Sequence, residues 1–86
     1  MKDEFVKILG KNIEQQRRKK GITRIELCKN VGMSWSTLER IEFGYVNIGI
    51  DRLLSITRFL EIDLREFIGD VEDQFKKLPP AGGLYA

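Results

Sequence analysis

Five basic residues crowd the front half of the chain, Arg17-Arg18-Lys19-Lys20 and then Arg24. A little further on, WSTLER opens with the only tryptophan, Trp35, and closes with Arg40. Cationic groups in such a cluster attract polyanions. A tryptophan one residue after Ser34, at the mouth of a short polar segment, either closes a core or faces something outside. Covalent chemistry has far less to work with. There is no histidine and a single cysteine, Cys28, so Ser-His and Cys-His nucleophile pairs and the usual zinc ligand sets are excluded. The carboxylates are scattered among lysines and arginines at helical spacing, the pattern of a solvated helix face. The expectation is a protein that is not an enzyme and needs no metal or cofactor.

The 86 residues suffice for one domain. A lone thiol fits a reducing compartment. The start MKDEFVKILGKN mixes charges through its apolar residues and does not read as a signal peptide. No apolar run approaches the roughly 20 residues that span a bilayer. These features predict a cytoplasmic protein with no membrane partner. Its net charge of +2 is unevenly spread. Residues 1–45 hold ten Lys/Arg and six Asp/Glu, whereas residues 46–86 hold five and seven.

Helical periodicity runs throughout, with no alternating strand pattern. A first helix is expected from about Asp3 to Lys20, with Phe5, Leu9 and Ile13 as its apolar stripe and Gly21 as its stop. Thr23-Arg-Ile-Glu26 reads as a capping box for a second helix, burying Ile25 or Leu27 with Cys28 and Val31. Gly32 ends it, and Ser34 caps a third helix that reaches Phe43-Gly44. Tyr45 to Gly49 is a loop, and Ile50 to Leu60 a fourth helix with Leu53, Leu54 and Ile56 inward. Asp63-Leu-Arg-Glu66 starts a fifth helix carrying Leu64, Phe67 and Ile68. Gly69 ends that helix, or Val71 and Phe75 continue it. The fold class predicted is all-α, five helices. The domain is expected over 1–69, with 70–86 as an extension, helical to about 77 and then a flexible tail that a partner protein could hold.

The second and third helices, joined by a glycine turn, form a helix-turn-helix. Their close crossing needs a small residue, Cys28, and their turn needs one tolerant of positive φ, Gly32. Leu27, Val31, Met33, Leu38 and Ile41 supply the apolar lock. With these positions satisfied together, the segment from Leu9 to Phe67 resembles the lambda-repressor-like, Cro-type helix-turn-helix domain. The resemblance rests on LGKNIEQQRRKKGIT, ELCKNVGMSWSTLERIEFG and LLSITRFLEIDLREFI. It implies sequence-specific binding of double-stranded DNA by a transcriptional regulator of the Cro or repressor type, binding a palindromic operator as a homodimer. In such domains the first turn of the second motif helix meets base edges in the major groove. Carried over, the base-contacting residues are Trp35, Ser36, Thr37 and Arg40. Arg24, Tyr45 and Asn47 match phosphate-contacting positions, and Arg17 and Glu42 match a structural ion pair.

Trp35, Phe43 and Tyr45 depart from the family's polar residues. Trp35 then either covers the edge of the core or projects into the groove towards a thymine methyl or sugar. The aromatic residues also suit a different class of function, a protein-interaction module or antitoxin that keeps the fold with weak or no DNA binding. For a homodimer, the spare apolar surface is expected late in the chain, in Leu64, Phe67, Ile68, Val71 and Phe75.

Overall fold

The computed structural model describes residues 2–79 in five helices. These are α1 (Lys2–Lys19), α2 (Arg24–Val31), α3 (Trp35–Glu42), α4 (Ile50–Phe59) and α5 (Leu64–Lys76). No strand occurs among the described residues. Residues 80–86, most of the expected tail with its partner site, lie outside them.

The helix starts follow the sequence closely. The Thr23 side chain accepts from the Glu26 backbone N–H, and the Glu26 carboxylate accepts from the Thr23 backbone N–H, both at 3.1 Å. This reciprocal pair satisfies two donors that a helix start otherwise leaves unmet. Ser34 caps α3 through the Thr37 N–H at 3.2 Å. Asp63 caps α5 through the N–H groups of Arg65 and Glu66.

α1 packs on α3 and α5, α2 on α3 and α4, and α4 on α5. Leu27, Leu38, Ile13, Ile56 and Val71 are almost wholly withdrawn from water at the centre. One open alternative is settled and one inward assignment changes. Ile25 points out while Leu27 points in, and Leu54 is exposed while Thr57 and Leu60 fill the α4 face. Positions 53, 56, 57 and 60 share one face of a helix, which leaves 54 on the other.

The expected boundary at Gly69 falls inside α5, which continues unbroken to Lys76. Residues 70–76 are held against α1. The Asn12 and Gln74 side-chain amides exchange two hydrogen bonds of 3.0 Å, and Phe5 meets Phe75 edge to face at 5.4 Å between ring centroids. The dimer surface expected there is corrected by the same packing. Phe67 is 4% exposed and Val71 0%, both within the core of their own domain. Leu64 and Ile68 pack partly buried against it, and Phe75 is occupied by Phe5.

Candidate nucleic-acid interface

The two helices of the motif are joined by Gly32, whose φ of 68° lies in the left-handed region. Its N–H and that of Met33 both donate to the Cys28 carbonyl, at 3.0 and 3.1 Å. A side chain at this φ would cost energy that glycine avoids. Cys28 sits buried where the helices cross, and Leu27, Met33, Leu38 and Ile41 join it in the core. Burial raises the Cys28 thiol above its ordinary pKa, and the nearby Glu42 charge adds to this, while Arg17 and Arg24 oppose it.

With its inner face fixed, α3 presents Trp35, Ser36 and Arg40 outward. Thr37 is half-buried, and its hydroxyl accepts from the Ser34 hydroxyl at 2.7 Å. Ser36 and Arg40 are four residues apart and share a helix face. No carboxylate forms an ion pair with Arg40 among the described residues. The chain leaves α3 through Gly44, φ 78°, where a Cβ would collide with Lys7 at 2.7–2.8 Å. Tyr45 and Asn47 follow, both exposed. The Asn47 side-chain oxygen accepts from the Ile48 N–H at 2.9 Å.

Beneath α3 lies a charged network. Arg17 Nε donates to Glu42 Oε2 at 2.8 Å, and Arg17 Nη2 to Glu42 Oε1 at 3.0 Å. A third arginine nitrogen, Arg17 Nη1, donates to the Ile22 carbonyl at 2.9 Å. The hydrogen bond to Glu42 raises the Arg17 pKa, against an opposing effect of burial. Such a fork-to-carboxylate pair fixes direction as well as distance.

Arg24, expected as a phosphate contact, is engaged by carboxylates of its own chain. Its Nε donates to Glu42 Oε1 at 2.8 Å, and its Nη2 lies 3.4 Å from Glu14 Oε2. Its side chain is only 18% exposed. The guanidinium carbon lies 5.7 Å from the Trp35 ring centroid and 5.4 Å from that of Phe43. Phe43 in turn meets Tyr45 edge to face at 5.9 Å. Trp35, Arg24, Phe43 and Tyr45 therefore form one continuous row. Trp35, 45% exposed, rests on this row and belongs to neither the core nor its packed margin. Arg24 and Trp35 also border an open hollow of about 410 Å³, with Arg17, Arg18, Thr23 and Ile25.

Sequence reasoning missed the part of Arg24 in this network, because nothing in linear spacing joins positions 14, 24 and 42. It also missed Gly10. A Cβ there would collide with the Ile41 carbonyl oxygen and lie 3.0 Å from that of Glu42. Glycine thus lets α1 approach the end of α3. The signal available was a glycine in mid-helix, where it is otherwise unfavourable.

Comparison with known proteins gives a consistent picture. The profile of the family described as helix-turn-helix matches residues 13–67. No curated protein matches in sequence. Among solved structures, the clp gene regulator ClgR from Corynebacterium glutamicum is similar in fold, with a TM-score of 0.77 at 21% identity over 81% of this chain and 74% of that one. A point mutant of the restriction-modification controller protein C.Esp1396I is similar too, with a TM-score of 0.75 at 22% identity over 85% of this chain and 92% of that one. Among the described residues, no helix is long and apolar enough to cross a membrane.

Proposed function

This chain belongs to the Cro/C1-type, XRE-like helix-turn-helix family of DNA-binding transcription regulators, and we propose that it is a cytoplasmic repressor that reads a palindromic operator as a homodimer. The observation that carries this reading is the outer face of α3. Ser36 and Arg40 stand exposed on a helix whose start is capped and whose inner face is locked into the core. An arginine projecting into the major groove can grip guanine O6 and N7 together, worth about 1–3 kcal/mol of discrimination. Trp35 lies near the start of this face and offers an apolar surface to a thymine methyl. Tyr45 and Asn47 would lie along the phosphates.

One helix-turn-helix reads too few base pairs for a useful specificity ratio. Two copies related by a two-fold axis place their reading helices about 34 Å apart. The exposed Ile50 and Leu54, four residues apart on one face of α4, support such a pairing better than the interior of α5. Ile50 is 67% exposed and Leu54 42%. On α4, Asp51 and Arg58 flank Leu54 on either side in sequence. Antiparallel pairing of α4 with its copy about Leu54 would set the Asp51 end of each helix beside the Arg58 end of the other.

The test is selection of duplexes from a random-sequence library, followed by titration of the best duplex and of the unselected pool. Arg40→Ala should weaken the selected duplex by about 1–3 kcal/mol and the pool much less. A parent that enriches no sequence would overturn the reading. The exposed row of Trp35, Phe43 and Tyr45 favours a second reading, a protein-docking module. It predicts capture of a protein partner by the parent and loss of that capture in Tyr45→Ala, with no enrichment of DNA.

A further inference from the structure

We propose that Arg24 is a positioning residue that holds both ends of the reading helix, so that it sets sequence preference without itself being a phosphate contact. This role rests on the DNA-reading function proposed above. Arg24 is the first residue of α2. Its Nε is bonded to the carboxylate of Glu42, the last residue of α3, whose side chain has no exposure to water. The same guanidinium lies over Trp35, the first residue of α3, and over Phe43, the residue just after α3. One side chain therefore grips α3 at its start and at its finish.

The charge arrangement favours this role over a phosphate contact. Arg17, Arg18 and Arg24 face Glu14 and Glu42, with each carboxylate shared by two arginines. The charge of Arg24 is thus largely offset inside the protein, and little of it remains to release counterions from DNA. Its planar fork also matters. A lysine can supply one point charge to Glu42, but it cannot bond Glu42 and Glu14 from one rigid fork while holding a planar cation beside both rings. Arg17 keeps its own two bonds to Glu42 without Arg24, so the buried carboxylate stays paired when Arg24 is replaced. The fold then persists while the fine placement of α3 is released. A base contact is sensitive to that placement because both hydrogen bonds of a bidentate pair must align at once.

Arg24→Lys and Arg24→Met test the proposal, using the duplex selected by the parent and the unselected pool, at several salt concentrations. Circular dichroism confirms folding at the assay temperature. Both variants should lose roughly tenfold in the ratio of selected to pool affinity, the size of one impaired base contact. The salt slope should not change in either. In protein without DNA, emission from Trp35, the only tryptophan, should become more open to acrylamide quenching in both variants. A phosphate contact gives a different result: Lys restores binding, whereas Met weakens both DNAs and lowers the salt slope by about one. That pattern overturns the proposal. So does a lowered melting temperature with an unchanged affinity ratio, the mark of a purely structural residue. A parent with no sequence preference overturns the DNA-reading function itself, and with it this role.

Discussion

Glu42 has no side-chain surface in contact with water, yet it accepts three hydrogen bonds from two arginines. A buried carboxylate is costly unless its lone pairs are occupied in this way. No buried side-chain polar atom among the described residues is left without a partner. The same enclosure acts on Cys28. Its thiol pKa is raised, first by burial and then by the Glu42 charge. The folded state therefore prefers the protonated thiol more than the unfolded state does. The resulting stability is fully present below the ordinary thiol pKa of about 8.5 and is lost as pH rises through the higher folded value. Between pH 7 and pH 10 the parent should lose more stability in urea melts than Cys28→Ala does. At pH 7 a disulfide reagent should label native protein far more slowly than urea-unfolded protein. Equal labelling rates would contradict the buried, protonated thiol.

At the scale of the element, α1 approaches α3 through Gly10. Alanine in place of a mid-helix glycine ordinarily stabilises by roughly 0.5–1 kcal/mol. Here the added methyl would strike the Ile41 carbonyl oxygen, a backbone atom that cannot swing aside. Gly10→Ala should instead destabilise, by about 1–3 kcal/mol, as overpacking does. The urea midpoint measures this, and a rise in the midpoint would refute the close approach. Because Ile41 and Glu42 belong to α3, the strain would also reach the Arg17–Glu42 pair. Helix starts and stops are local events, so Thr23 with Glu26, Gly32 and Ser34 could be placed from their own neighbours. The α5 end was left open: Gly69 could stop the helix or Val71 and Phe75 continue it, and contacts of Val71, Gln74 and Phe75 with the rest of the fold decide for the longer helix, which reaches Lys76.

For the whole molecule, the outward stripe of Ile50 and Leu54 on α4 replaces α5 as the surface proposed for self-association. Leu54→Asp would place a charge at the centre of a two-fold α4 pairing while leaving the inward Leu53, Ile56 and Thr57 in place. Sedimentation at micromolar concentration should then show monomer for the variant and dimer for the parent, with melting of the isolated domain nearly unchanged. Phe67→Ala should act the other way. It removes a core side chain and should cost about 3–5 kcal/mol through the cavity it leaves, at any concentration. If Leu54→Asp associates like the parent, the stripe is not the interface.

What the chain determines by itself is local or periodic. Helical spacing, caps, the small residue at position 28 and the glycine at position 32 were enough to reach the helix-turn-helix, whereas the candidate base-reading residues and the Arg17–Glu42 pair came only with the family resemblance that this motif carries. Tertiary structure decided everything that depends on which distant surfaces meet. Leu54 turned outward because its helix packs through positions 53, 56, 57 and 60. Phe67 and Val71 turned inward because the core accepts them. Arg24 became a clamp because the fold brings positions 14, 24, 35, 42 and 43 together. Sequence shows that an arginine is present. Only the fold determines whether its charge meets a carboxylate of the same chain or is left for a partner.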